Sequence, residues 1–458
     1  MYALTWCSLL LVPVMPVALG ASLVGADASF GIMLSLSRRD NIGVAIGVGV
    51  AANGTYSAPA TVGNSDISFV ISTRLGDFVA VSTSCQTQSC KDFNGTLYDA
   101  SESFQPFDNT IVQLSYGADA SSVIGQDSVT IGGLSIPDQT LAAINSFNRS
   151  DLFNGTAGIL GLGFPLTGYT AAIFGASSLP SSVLGNLSTV SDTGVLEARD
   201  KNGTDPLDAI ANILSLLYAH GPIVPSLFTY GNINEPLFSL TFDRNFSGSA
   251  GSGELTIGSL PTGVDSSSLT WAPVRLYDFG NASLPVNWEV EVDGVFLDGK
   301  ALPGSSQVPK VSAVVDTTAT ATGGPKEAID AILDAISATP VCNVSHTLSF
   351  QIGGRLFAVA PQDFVRLTGN GCGCTANVED IDSLRSNWSL YSWRLGSSFM
   401  KSNLVAFDYG NLTHPSVEPP RMGFMSLEPG SNDARSSGVG AERRGWLALV
   451  SVVLVMML

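Results

Sequence analysis

Two stretches of the chain end an apolar run on a small polar residue followed by threonine: Val70-Ile71-Ser72-Thr73-Arg74-Leu75 and Val314-Val315-Asp316-Thr317-Thr318-Ala319. If the fold brought the two places together, an acid at each would set two carboxylates side by side. Neighbouring like charges cannot both ionise, so such a pair shares one proton, and one member activates water while the other protonates a carbonyl oxygen. Only the second stretch carries the acid, Asp316; Ser72 holds the matching place in the first. A hydroxyl cannot replace the partner, and losing one member of a catalytic unit costs up to ~10⁶ in rate, on the order of 5 to 8 kcal/mol. Asp316 then has a second reading, a retained carboxylate that accepts amide hydrogen bonds from its own loop. Arg74 either pairs with Asp316 and occupies its oxygens or swings to solvent.

Short β-type runs punctuated by Gly, Ser and Asn must carry these loops. From "YSAPATVG" onward they include "ISFVIS", "FVAVS", "IVQLSYG", "DSVTIGGLSI" and "AGILGLGF", with one helix expected over 206–220. A second β series starts near residue 236 and includes "GELTIGSL", "LTWAPVRLY", "WEVEVDGVFLDG", "SAVVDTT" and "WRLGSSFM", with a helix just after Asp316 in "GPKEAIDAILDAI". Both series run from the motif to a strand ending in Leu-Gly, Ser72 to Leu160 and Asp316 to Leu395 with similar separations, the mark of an internal duplication.

The 458 residues suffice for two domains, and a 45% apolar content can fill their cores. Lys and Arg number 21 against 39 Asp and Glu, a net charge of −18, so nucleic-acid binding has no electrostatic drive. No His, Cys and Asp cluster has metal-ligand spacing and no phosphate-binding glycine loop appears, so neither metal nor cofactor is expected.

The apolar start, residues 1–20, reads as an export signal ending in Ala18-Leu19-Gly20. At the other end, residues 429–458 read as a linker and glycolipid-attachment signal: small residues at Ser436, Ser437 and Gly438, a polar spacer, and a tail too short to span a bilayer. Asn432 is a second candidate attachment point. Eleven sequons, at Asn53, Asn94, Asn148, Asn154, Asn186, Asn202, Asn245, Asn281, Asn343, Asn387 and Asn411, favour glycosylation of an exported chain. Export also permits disulfides. Cys85 and Cys90 close a short loop, and Cys342 is left to pair with Cys372 or Cys374.

Taken in order, "SAPATVG", the Cys85/Cys90 loop, "SYG", "DSVTIGG", "GILGLGFP", "GELTIGS", "LTWAPV" and "AVVDTTATATGGP" resemble the pepsin-like aspartic peptidases, particularly fungal secreted and glycolipid-anchored members. The resemblance covers about residues 53 to 428 and implies a mainly β, bilobal acid-protease fold around a peptide-binding cleft. It places an N-terminal lobe at 53–235 and a C-terminal lobe at 236–428, with 21–52 either a propeptide or a first strand. It also implies that Thr73 and Thr317 bond across to the opposite loop, and that Tyr116 and Gly117 sit in the flap over the cleft. The departures are Ser72 for the first acid, Arg74 and Thr318 for the two glycines, and Leu75 and Ala319 for the hydroxyl residues that brace the carboxylates. A serine mechanism at Ser72 would need an adjacent base, and the fold so implied puts His220, His346 and His414 elsewhere. The expectation is therefore a non-catalytic, monomeric, surface-anchored relative that binds peptide or protein or acts structurally. The alternative is an acid endopeptidase with residual or altered activity.

Overall fold

The computed structural model describes residues 43–50, 54–93, 95–115, 119–148, 156–168, 217–243, 252–278, 283–304, 311–337, 346–367, 374–382, 392–413 and 416–427, all within one compact unit, with 108–115 and 119 described by their backbone alone. It is mainly β, as the alternating runs predict. Along Tyr56–Val62 the residues Tyr56, Ala58, Ala60 and Val62 are buried, so one face of the strand packs inward with a period of two. Several hairpins close on two-residue loops. Ile131 pairs with Leu134 across Gly132 and Gly133, both at positive φ, a conformation that only glycine reaches at no steric cost.

An eight-stranded sheet gathers the strands between Gly49 and Gly161. Its partner in the second half of the chain is a five-stranded sheet holding Glu289–Val292, Val311–Val315, Trp393–Leu395, Thr322–Gly324 and Val378–Asp380. A third, six-stranded sheet draws on both ends of the described chain. Val44–Gly47 pairs with Gly253–Ile257, and Leu237–Phe242, Asn403–Asp408, Arg421–Ser426 and Thr270–Pro273 complete it. Buried aromatics tie the sheets into one core: Trp288 lies 4.3 Å from Phe164 and 4.8 Å from Tyr409, ring centre to ring centre.

The helix after Asp316 spans Lys326–Ser337 and buries Ala328, Ile329, Ile332 and Ile336, one face at helical spacing. Of the helix expected over 206–220, residues 217–220 are helical and the rest lies outside the described residues. A further helix, Ile223–Thr229, follows the Gly221-Pro222 break; proline is tolerated there because the first turn has no need of its amide. Among the described residues no helix is long and apolar enough to cross a membrane.

Candidate functional site

Each motif sits at the end of a buried strand with a parallel neighbour. Ser65–Ser72 runs beside Gly158–Gly161, pairing Ile71 with Leu160, and Val311–Val315 runs beside Trp393–Leu395, pairing Val315 with Leu395. Those two pairings put Ser72 and Asp316 at equivalent places in the two half-sheets. Past the strand ends each motif is bonded to its neighbour: Leu162 donates its amide to Ser72 O at 2.8 Å, and Asp316 donates its amide to Leu395 O at 3.0 Å. Close backbone approach makes two glycines necessary. A Cβ on Gly163 would fall 2.8 Å from the carbonyl carbon of Leu75, and one on Gly396 would fall 2.5 Å from the Ala319 oxygen.

The threonines join the two loops. Thr73 N–H donates to Thr317 Oγ1 at 3.0 Å, and Thr317 N–H donates to Thr73 Oγ1 at 3.1 Å. Each hydroxyl then donates onward, Thr73 to Val315 O at 2.8 Å and Thr317 to Ile71 O at 2.6 Å. A second tie reaches the first motif from behind, since Trp288 Nε1 and Tyr409 OH both donate to Leu162 O, at 2.7 and 2.8 Å.

Asp316 is 3% exposed. Its Oδ1 accepts from Thr318 N at 3.0 Å and from Thr318 Oγ1 at 2.6 Å; among the described residues these are the hydrogen bonds its carboxylate receives. Arg74 Nη1 stands 3.8 Å from Oδ2, an ion pair longer than a hydrogen bond, on a side chain one-third exposed. Of the two orientations open to Arg74, the structure has the inward one. Ser72 is buried and its Oγ accepts the Leu75 amide at 3.2 Å. The motif pattern makes Thr318 only a replaced glycine, yet its hydroxyl braces the acid in place of the residue lost at Ala319. The signal available was a hydroxyl two residues after an aspartate, a spacing that favours local bonding. Asp77, five residues after Ser72, is buried and its carboxylate lies beside Gly168.

A second buried acid went unnoticed in the sequence. Glu289 is fully buried on the strand that pairs with Val311–Val315, and its Oε2 accepts from Tyr277 OH at 2.6 Å. Arg275 Nη1 lies 3.5 Å from Oε1, and the Ser312 hydroxyl also bonds to the carboxylate. Burial pushes the Glu289 carboxyl above its ordinary range, opposed by Ser312, Tyr277, Arg275 and Arg74. Arg74 therefore lies in the field of both Asp316 and Glu289.

The remaining expected residues divide by place. Cys85 and Cys90 are disulfide-bonded. Cys374 is disulfide-bonded too, while Cys342 and Cys372 fall outside the described residues. Tyr116, Gly117, Asn53, Asn94, Asn154, Asn186, Asn202, Asn245, Asn281, Asn343 and Asn387 also lie outside them, as do 1–20 and 429–458. Asn148 is exposed, and Asn411 is half-buried with its Oδ1 accepting from Thr413 Oγ1 at 2.9 Å. His346 pairs with Asp298 at 2.8 Å, and His414 lies outside the described residues.

Comparison with known proteins returns one family model, eukaryotic aspartyl protease, matched over residues 55–180 and 214–414. Among curated proteins the chain is 22% identical to pepsin A of Bos taurus over 360 residues, which is 76% of this chain and 78% of that one. It is 28% identical to napsin-A of Mus musculus over 362 residues, 75% of this chain and 68% of that one.

Proposed function

The chain belongs to the eukaryotic aspartyl protease family, and on that footing we propose that it is a member without hydrolytic activity, holding a peptide or protein ligand in the cleft between its lobes. The carrying observation is the equivalence of Ser72 and Asp316 in the two half-sheets. Hydrolysis in this fold needs an acid at both places, and here a buried serine spends its hydroxyl on the Leu75 amide while Arg74 stands over the surviving carboxylate. Ser72 is thus the site of the lost acid and Asp316 the retained one, with Thr73, Thr317, Arg74 and Thr318 as the structural remainder of the motifs. The resemblance of "SYG" assigns Tyr116 and Gly117 to a flap over the ligand.

An exported, glycosylated monomer, tethered to the cell surface by a glycolipid in the manner of fungal members, completes the reading. The sequons, the export signal and the short apolar tail support it. Retention of Asp316 and of the full threonine network favours a second reading, residual acid endopeptidase activity.

The test is incubation of the mature protein with denatured haemoglobin at acidic pH, with and without a peptide inhibitor that mimics the transition state. The expected result is inhibitor binding without cleavage. Inhibitor-sensitive cleavage abolished by Asp316→Asn would establish the second reading instead.

A further inference from the structure

We propose that Arg275 and Arg74 form a carboxylate-binding subsite that seats an acidic side chain of the bound peptide. This deepens the peptide-binding reading and rests on it. Arg275 is built as an anchored cation. Its Nη1 is held by the buried Glu289 carboxylate at 3.5 Å and by Ser312 Oγ at 3.3 Å, and the guanidinium lies 5.3 Å above the Tyr277 ring, whose own hydroxyl is fixed on Glu289. Among the described residues its hydrogen bonds use Nη1 alone, which leaves Nε and Nη2 on a side chain 36% exposed.

A guanidinium pinned at one corner loses little freedom on binding, and its planar fork matches a carboxylate with two charge-assisted bonds. Arg74 supplies the second cation, one-third exposed beside Asp316 and within the field of the same Glu289. Burial favours the protonated form of Glu289, so toward acidic pH one of the two negative charges beside these arginines is removed. The two arginines balance two buried acids, Asp316 and Glu289, when both are ionised, and leave an excess of one positive charge when Glu289 holds its proton, so toward acidic pH the spot favours acidic ligands over basic ones.

The probe is a set of fluorescent, N-acetylated, C-amidated octapeptide pools with a fixed central Glu, Gln or Lys, read by anisotropy against the full-length protein at pH 5. The Glu pool is expected to bind about tenfold tighter than the Gln pool, on the order of 1.4 kcal/mol. That gap should fall below about twofold in Arg275→Gln and narrow in Arg74→Gln. Should Arg275→Gln fail to fold because Glu289 has lost its counter-charge, the double change Arg275→Gln with Glu289→Gln removes both charges, and the same collapse is expected. Equal binding of Glu and Gln pools, or a gap that survives these substitutions, overturns the subsite while leaving the peptide-binding reading intact. No binding of any pool to the folded protein overturns both.

Discussion

Thr73 and Thr317, 244 residues apart in sequence, hold each other's backbone amide on their hydroxyls, and both are 1% exposed. Neither bond involves the residue that precedes the threonine. The junction therefore keeps its geometry whether that residue is an acid or, as at Ser72, an alcohol.

Thr73→Val or Thr317→Val should each destabilise the protein by about 2 to 6 kcal/mol, because each strips a partner from one buried amide and one buried carbonyl, at ~1 to 3 kcal/mol apiece. Urea unfolding monitored by intrinsic fluorescence measures this. A loss under ~0.5 kcal/mol would show that the network is not what holds the loops together.

Tyr409→Phe should cost about 1 kcal/mol by the same measurement, since Leu162 O keeps its bond from Trp288 Nε1 when the phenol is removed. Trp288→Phe should cost more, because it removes the bond and leaves a void in the aromatic core as well.

Restoring the acid should not by itself restore catalysis. With Ser72→Asp alone, Arg74 remains within ion-pair distance and ties up the new pair, so haemoglobin cleavage at pH 3 to 4 should stay ~10²-fold or more below that of Ser72→Asp combined with Arg74→Gly. Equal rates in the two variants would mean that Arg74 does not obstruct the centre.

Glu289 gives stability a pH dependence of known sign. Its carboxyl is raised in the folded state, so the native protein holds this proton more tightly than the unfolded chain does. The contribution is fully present below the unfolded value of ~4.3 and is lost as pH rises through the folded value. Relative to Glu289→Gln, the wild type should therefore lose melting temperature as pH climbs from about 4 toward neutrality. A flat difference between the two curves would contradict this.

Much of this was legible from residue order. The paired motifs, the strands ending in Leu-Gly and the helix after Asp316 all follow from local pattern, and the parallel pairings of Ile71 with Leu160 and Val315 with Leu395 bring the two halves to the same geometry. The Glu289 cluster was not legible. Period-two alternation along Trp288-Glu289-Val290-Glu291-Val292 reads both glutamates as outward-facing, and Glu291 is indeed exposed. The buried Glu289 carboxylate is met by Arg275 and Tyr277, from the chain before it, and by Ser312, contacts no local pattern encodes. Thr318 escaped for another reason: its value lies in a bond to its own loop, while the motif comparison registers only that glycine is missing.

The strand Val44–Gly47 limits how the leading residues can be trimmed. All four of its residues are in register with Glu254–Ile257, and Val48 continues the ladder by donating to Gly253 O and accepting from Ser252 N–H. A processing enzyme that cut after this strand would expose the rim of the six-stranded sheet along Gly253–Ile257 and invite sticking between molecules. Any maturation scissor must close before Val44.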